Sequence, residues 1–178
     1  EGCLFICICG YNVDGHSFAK EAAQKGAAVL VVSKDVELPA ESDITVIRVE
    51  DTRYAMAFIT AAYFGHPADR LKVIGITGTK GKTTTTYLIK SILERAGYKV
   101  GLVGTIETII GDKHIPASNT TPESFLLQKY FKEMEEAGCE IVVMEVASQG
   151  LKLHRTQGFT FEAGIFTNLE PDHIGPNE

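Results

Sequence analysis

Residues 78–83, Gly-Thr-Lys-Gly-Lys-Thr, have the residue types of a phosphate-binding loop. A glycine-rich turn between a strand and a helix directs backbone N–H groups and the positive end of a helix dipole at one point, where a phosphate group fits. Lys82 can reach the outer phosphates of a nucleotide, and the Thr83 hydroxyl can be a ligand of Mg²⁺. This stretch therefore predicts a nucleotide site.

The loop departs from the common P-loop pattern, which places a glycine five residues before Gly81, where this chain has Ile76. In our interpretation, Gly78 makes the tight turn instead. The alternative is an ordinary turn between a strand and a helix that happens to contain Gly-Lys-Thr. The apolar run 72–77 before the loop and the helical spacing of apolar residues over 84–96 after it favour the nucleotide site.

Three further polar stretches follow apolar runs that we interpret as strands, at 119–122, 145–148 and 167–173. Ligands gather at the carboxyl ends of parallel strands, so we expect these stretches to converge on the phosphate loop. Glu145 lies at the end of an apolar run, where a carboxylate is costly unless it is paired or bound to a metal. A Mg²⁺ beside Thr83 would supply that partner. The alternative is a strand residue that faces outward.

Other polar residues in the chain have both functional and structural interpretations. Asn168 could bond a purine or a phosphate, or it could cap a loop. Arg155 could hold an anionic group in a fork, or it could be an ordinary exposed arginine. Thr120 and Thr121 could bind an anion at a helix start, or one of them could cap that helix. His173, taken alone, is an unusual Mg²⁺ ligand because hard cations prefer oxygen.

Apolar runs and helical periodicities alternate along the chain, which is typical of an α/β fold with a mostly parallel sheet and helices on both faces. The predicted strands are 4–9, 28–32, 44–49, 72–77, 100–103, 140–146 and 163–167, with a hairpin over 107–115. The predicted helices are 17–24, 51–63, 84–96 and 122–138, the last beginning at Pro122. Gly65 to Asp69 resembles a linker, so we predict one partial α/β domain over 1–68 and a partial P-loop-type domain over 69–178.

Composition excludes several classes of protein. The 178-residue chain has a formal net charge of −6, which does not favour nucleic acid as a partner. No apolar run reaches the ~18 residues of a membrane span. We expect a cytoplasmic monomer without membrane partners. Cys3, Cys7, Cys9 and Cys139 are expected to be small core residues in a reducing compartment. The chain begins inside a strand pattern and ends without a closing helix, which suggests a fragment.

The combination of these stretches resembles the Mur ligases, which are ATP-dependent amide-bond synthetases of peptidoglycan assembly. The loop Gly-Thr-Lys-Gly-Lys-Thr-Thr-Thr at 78–85 resembles the nucleotide loop of that family. The likeness is greatest to the MurE type, the UDP-N-acetylmuramoyl-tripeptide synthetase. It is carried by Asn119-Thr120-Thr121-Pro122, Met144-Glu145-Val146 with Ser148, Thr167-Asn168-Leu169 with Asp172-His173, and residues 10–16. Residues 10–16 resemble the end of the uridine-binding domain of that type.

The resemblance implies a role for each matching residue. The implied ATP-binding residues are Gly78, Thr79, Lys80, Gly81, Lys82, Thr83, Thr84 and Asn168. Thr83 and Glu145 would hold one Mg²⁺ and His173 a second, and the catalytic residues would be Lys82, Glu145 and His173. The substrates would be a UDP-MurNAc-dipeptide and a diamino acid, either L-lysine or meso-diaminopimelate. The implied substrate-binding residues are Asn119, Thr120, Thr121, Ser148 and Arg155, with Tyr11, Asn12 and Val13 near the uridine.

The sequence departs from the family pattern in three respects. Ala147 stands where the family usually has a serine that touches substrate, so that contact is missing or has moved to Ser148. A Ser-Arg pair that reads uracil is expected before Gly2. A carbamylated lysine and a carboxyl-terminal domain that binds the amino acid are expected downstream, and we expect a fragment without them to be inactive.

Two alternatives remain open at the level of sequence. One is a ligase similar to folylpolyglutamate synthetase, with related chemistry on a pteridine substrate, although the threonine-rich run 83–86 argues against it. The other is a non-catalytic fragment that binds nucleotide. Phosphate release that depends on the substrate separates these possibilities.

Overall fold

The apolar runs near the amino terminus form a small parallel sheet in the computed structural model, which describes residues 2–40 and 42–171. The strands are β1 (Cys3–Ile6), β2 (Ala27–Val32) and β3 (Thr45–Arg48), in the order β1-β2-β3. A 3₁₀ helix (Gly15–Phe18) and helix α1 (Ala19–Gln24) connect β1 to β2. The core of this unit contains Cys7, Ala19, Leu30 and Val32.

The cysteine prediction is correct for Cys7 and Cys139, which are buried, and wrong for Cys3 and Cys9, which are exposed. Strand β1 ends at Ile6, so the period of two does not extend to Cys9. Cys9 instead forms an isolated antiparallel bridge with Asp14 in the loop that follows.

Helix α2 (Thr52–Tyr63) follows the first sheet. The Asp51 carboxylate caps its amino terminus, because Oδ1 accepts hydrogen bonds from the backbone N–H groups of Arg53 (2.7 Å) and Tyr54 (2.9 Å). Contacts within the chain divide it inside this helix, into one compact unit that ends at Met56 and a second that begins at Ala57. The predicted boundary near residue 69 therefore stays a prediction.

In chain order the later elements of the second unit are a 3₁₀ helix (Pro67–Arg70), β4 (Lys72–Thr77), α3 (Lys82–Arg95), β5 (Val100–Val103), β6 (Glu107–Ile110), β7 (Lys113–Pro116), α4 (Ser124–Glu136), β8 (Ile141–Glu145), α5 (Ser148–Lys152) and β9 (Ala163–Phe166). The strands form a six-stranded sheet in the order β7-β6-β5-β8-β4-β9. Strands β5, β8, β4 and β9 are parallel, and the β6–β7 hairpin adds two antiparallel strands at one edge.

Helices cover both faces of this sheet, as the sequence predicts. Successive strand residues point to opposite faces, so Ile141 and Val143 of β8 pack with Ile89 of α3. On the opposite face, Val142 packs with Phe131 of α4. Ile89 is partly buried, whereas each of the other four side chains is buried and contributes about 1.5–3 kcal/mol of hydrophobic stabilisation. Among the described residues, no helix is long and apolar enough to span a bilayer.

Helix α4 begins at Ser124, so the prediction that Pro122 is its first residue is wrong. The preceding Glu123 is extended and makes no side-chain cap. The physical reason is tertiary. Thr121 is bonded to the end of β8, and its carbonyl accepts a hydrogen bond from Arg155, which keeps this segment out of the helix. The short helix α5 has no counterpart among the predicted elements.

Candidate active site

The phosphate loop connects β4 to α3, as its sequence predicts, and two glycines shape it. Gly78 has φ +128° and Gly81 has φ +84°, both in the region that favours glycine. A Cβ atom on Gly78 would lie 2.2 Å from the Thr167 Oγ1 atom, so a larger residue would collide with the segment after β9. Gly81 precedes the first residue of α3, Lys82, and therefore sets the direction in which the helix dipole points.

Lys82 folds back over the loop. Its Nζ atom donates hydrogen bonds to the carbonyl oxygens of Gly78 (2.7 Å) and Thr79 (3.1 Å). The ammonium group therefore lies at the amino-terminal end of α3, where the helix dipole adds to its positive potential. Thr84 is in the same first turn of α3 and is exposed. This is the arrangement of charges that an anionic phosphate requires.

Glu145 is a buried carboxylate beside this loop, with only 1% of its surface exposed. Residue 76 of β4 pairs with Glu145 of β8, and the alternation along β8 turns Glu145 toward the same face as α3. The Thr83 hydroxyl donates a hydrogen bond to Glu145 Oε2 over 2.9 Å. The sequence predicts these two residues to be neighbours, and the fold brings them into contact.

Thr105, which was not among the residues predicted for the site, bonds both oxygens of Glu145. The Thr105 N–H donates to Oε1 (2.9 Å) and the Thr105 hydroxyl donates to Oε2 (3.0 Å). Gly104 lies so close that a Cβ atom there would be 2.6 Å from Oε1. The sequence contained a signal for this residue, because Gly104-Thr105 follows β5 directly. The residues after β5 lie at the carboxyl ends of the parallel strands, where the other loops of the site also lie.

The partners of Glu145 within residues 2–40 and 42–171 are all neutral, and no lysine, arginine or histidine there forms an ion pair with it. A buried carboxylate without a counter-charge is costly, and a bound cation would remove that cost. The Thr83 hydroxyl and the Glu145 carboxylate are oxygen donors, which Mg²⁺ prefers. The residues present therefore fit this ion.

Thr121 is buried and belongs to the framework of the site. Its hydroxyl donates to the carbonyl of Glu145 (3.1 Å) and accepts from the N–H of Ala147 (2.9 Å). The helix-cap interpretation of Thr121 is wrong, because α4 starts three residues later. Arg155 donates to the Thr121 carbonyl (3.0 Å) and to the Glu123 carboxylate (2.6 Å), so two of its guanidinium nitrogens bind this framework.

Asn168 binds the phosphate loop itself. Its side-chain oxygen accepts a hydrogen bond from the Lys80 N–H (2.9 Å), and its side-chain nitrogen donates to the Lys80 carbonyl (3.1 Å). Thr167 donates a hydroxyl hydrogen bond to the same carbonyl (2.7 Å), and Glu170 forms an ion pair with the Lys80 side chain. Residues 167–170 therefore hold the loop in shape, which is the loop-capping alternative for Asn168.

A cleft of about 370 Å³ opens beside the loop. It brings residues predicted to bind ATP together with residues predicted to bind substrate. Its lining includes Gly78, Thr79, Lys82, Thr120, Ala147, Ser148, Gln149 and Glu170. Asn119 is exposed on the loop that precedes Thr120. His173 lies outside the described residues.

Tyr11, Asn12 and Val13 belong to the first unit, where they are exposed in the loop after β1. Hydrogen bonds within the first unit hold the residues that follow this loop. Asp14 bonds the ring of the buried His16 (2.6 Å), and His16 Nε2 accepts from the Ser33 N–H (3.0 Å). Lys34, followed by the bonds from His16, holds the pKa of the Asp14 carboxyl well below its usual range.

Comparison with known proteins identifies the family of this chain. The family description "Mur ligase middle domain" matches residues 76–176, and "Mur ligase family, catalytic domain" matches residues 1–64. A UDP-N-acetylmuramoyl-L-alanyl-D-glutamate--2,6-diaminopimelate ligase of Clostridium perfringens is 53% identical over 98% of this chain. The chain spans 36% of that relative's length, and 35% of the length of the 47% identical ligase of the same name from Geobacillus thermodenitrificans.

Two solved ligase structures share the fold of this chain. A structure of a UDP-N-acetylmuramoyl-L-alanyl-D-glutamate--2,6-diaminopimelate ligase superposes with a TM-score of 0.84 at 24% identity, covering 99% of this chain and 36% of that one. The MurF ligase of Thermotoga maritima, solved in complex with ADP, superposes with a TM-score of 0.57 at 25% identity, covering 94% of this chain and 35% of that one. The family match covers more than half of the chain and includes the phosphate loop, β8 and β9, so this chain belongs to the Mur ligase family.

Proposed function

We propose that this chain is the nucleotide-binding part of an ATP-dependent ligase that adds a diamino acid to UDP-N-acetylmuramoyl-L-alanyl-D-glutamate in peptidoglycan assembly. The names of the similar ligases favour 2,6-diaminopimelate over L-lysine as the added residue. The observation that carries the proposal is the 2.9 Å contact between Thr83 and the buried Glu145, next to Lys82 at the start of α3. A phosphate loop and an uncompensated carboxylate meet there.

Thr83 and Glu145 would hold Mg²⁺, and His173 stays a prediction for a second ion. When bound, Mg²⁺ neutralises phosphate charge and acts as a Lewis acid toward phosphoryl oxygens. Thr83 suits this role because its proton points to Glu145, which leaves the hydroxyl lone pairs available to a cation.

Lys82 and the loop amides would stabilise the charge that develops during phosphoryl transfer. Lys82 now bonds two carbonyl groups of the loop, and it would exchange them for phosphate oxygens. Asn168 and Thr167 would keep the amides of Thr79 and Lys80 in place. The protein supplies position and charge in this step.

The reaction needs ATP because a free carboxylate is a poor acyl donor. The D-glutamate carboxylate of the substrate would attack the γ-phosphorus, which forms an acyl phosphate and releases ADP. The amine of the diamino acid would then attack the acyl carbon, and phosphate would leave from the tetrahedral intermediate. Thr120 and Ser148 line the cleft beside Lys82 and are our candidates for contacts to the dipeptide.

We also propose that the protein is a cytoplasmic monomer that acts on small molecules. Its four cysteines are free, which suits a reducing compartment.

The test is phosphate release by the full-length protein that contains this chain, with ATP, the UDP-MurNAc-dipeptide, and either 2,6-diaminopimelate or L-lysine. We expect Lys82→Ala to abolish turnover, because Lys80, the other lysine of the loop 78–83, is paired with Glu170. Lys90→Ala is the matched control. Lys90 lies two turns further along α3 and pairs with Glu94, so this variant should keep near-normal activity.

Phosphate release by Lys82→Ala at the rate of Lys90→Ala would contradict the proposed mechanism. Release with a folate and L-glutamate, and none with the UDP-sugar, would favour the folylpolyglutamate alternative. Nucleotide binding without release under any of these conditions would favour a non-catalytic role.

A further inference from the structure

Thr105 makes more contacts with the predicted metal ligand than any residue that sequence analysis proposed for the site. Its N–H and its hydroxyl bond the two different oxygens of Glu145, at 2.9 and 3.0 Å. Two donors from one residue fix the plane of the carboxylate as well as its position. Thr83 contributes a single bond to the same group.

The direction of these hydrogen bonds follows from the chemistry of the groups. An ionised carboxylate only accepts, so the Thr105 hydroxyl gives its proton to Glu145. The Thr120 Oγ1 atom lies 3.0 Å from the Thr105 Oγ1 atom. Because the Thr105 proton goes to Glu145, the Thr120 hydroxyl must be the donor of this second bond. Thr105 Oγ1 therefore has a donor and an acceptor at fixed positions, which restrains its rotation.

The turn that carries Thr105 is itself held in place. Gly104 N–H donates to the carbonyl of Glu107 (3.1 Å), and the phenol of Tyr87 on α3 donates to the Glu107 carboxylate (2.9 Å). Burial, followed by the bond to Glu107, raises the pKa of Tyr87 to about 12, so the phenol keeps its proton and remains a donor. Gly104 also allows the turn to approach Glu145, since a Cβ atom there would collide with Oε1.

We propose that Thr105 is a positioning residue that orients the Glu145 carboxylate for Mg²⁺. The inference rests on the proposed function, because it takes Glu145 to be a ligand of that ion. Thr105 acts through Glu145 and is not assigned a contact to the reacting atoms. Groups that orient a metal ligand commonly change metal affinity by about 10–100-fold when they are removed.

The test uses Thr105→Val in the full-length protein. Valine keeps the size and branching of threonine and keeps the backbone N–H, so only the hydroxyl bonds are lost. Thr105→Ser retains the hydroxyl. Thr60→Val is the matched control, because it removes the hydroxyl of a buried threonine, which donates to the Ala57 carbonyl (3.2 Å) on α2, outside the site. Thermal melting of each variant checks the fold, and Thr105→Ala replaces the valine variant if that one is unfolded.

Binding of a fluorescent ATP analogue is measured in EDTA and across a Mg²⁺ titration. For Thr105→Val we expect the Mg²⁺ concentration at half-maximal effect to rise about 10-fold, the low end of the usual range, because two of the three bonds to Glu145 remain. Affinity for the analogue in EDTA should be unchanged. Thr105→Ser and Thr60→Val should give the wild-type titration.

A wild-type Mg²⁺ titration for Thr105→Val overturns the inference, even if the melting temperature falls, because the residue is then only structural. An equal shift in Thr60→Val also overturns it. Glu145→Gln separates the two levels of the argument. If this variant shifts the titration and Thr105→Val does not, only the inference fails. If neither variant shifts it, the proposed metal site fails as well.

Discussion

Gly78 is the position where one added methyl group should do the most damage to the site. Gly78→Ala would place a Cβ atom 2.2 Å from the Thr167 hydroxyl oxygen and 2.9 Å from the carbonyl oxygen of Asn168. Neither oxygen is the end of a long, flexible side chain. The phosphate loop and the segment 167–170 would therefore have to separate.

The cost has two parts. An alanine at φ +128° is strained by about 1–3 kcal/mol. Separation of the two segments would also break the hydrogen bond from Thr167 to the Lys80 carbonyl (2.7 Å) and the bond from Thr79 N–H to the Asn168 carbonyl (3.0 Å), at about 1 kcal/mol each. The sum is roughly 3–5 kcal/mol of stability.

Gly81→Ala is the matched control in the same loop. Gly81 has φ +84°, and a Cβ atom there would meet nothing within 4 Å, so only the backbone strain of about 1–2 kcal/mol applies. The assays are urea denaturation and binding of a fluorescent nucleotide by the full-length protein. We expect Gly78→Ala to lose more stability than Gly81→Ala, and to bind nucleotide at least about 10-fold more weakly than wild type if one loop amide contact is lost. Equal stability losses in the two variants would refute the argument from the 167–170 contact.

Two further predictions concern the stability of the fold away from the candidate active site. Hydrogen bonds from Arg70, which has the larger effect, and from Lys132 lower the pKa of the Glu135 carboxyl from 4.5 to about 2. A lowered pKa in the folded state stabilises the fold above pH 4.5, and that contribution is lost as the pH falls toward 2. In urea denaturation, wild type should therefore be slightly more stable than Glu135→Gln near neutral pH, and the difference should shrink between pH 4.5 and 2; a difference that does not change with pH would contradict the assignment. Asp51→Ala removes both cap bonds of α2 and should cost about 1 kcal/mol in the same assay, whereas Asp51→Asn should cost much less, and equal losses would contradict the capping role.

Local signals were enough to predict the α/β class and the main elements of the second unit. The apolar run 72–77 is β4 at the predicted residues, and the helical spacing after the loop is α3, which starts two residues earlier than predicted. Both signals depend on residues adjacent in the chain, whose side chains alternate or repeat with the period of one element. The same holds for the β6–β7 hairpin.

The residues at which helices and strands begin or end depended on contacts between residues distant in the chain. Pro122 is a favourable first helical residue by type, yet the bonds of Thr121 to β8 and Arg155 delay α4 until Ser124. The exposure of Cys9 follows from the early end of β1, which the alternation of residue types does not reveal.

The sequence by itself determined the residues that we propose for this site: the glycines that shape the loop, Lys82 at a helix start, and a carboxylate at the end of an apolar strand. Only the tertiary structure decided which residues hold them. Thr105 lies 40 residues from Glu145 in the chain, and Asn168 lies 88 residues from Lys80. Such pairs meet because parallel strands bring their carboxyl ends to one edge of the sheet. Strand order and register decide which of these ends are close in space, and both are properties of the folded chain.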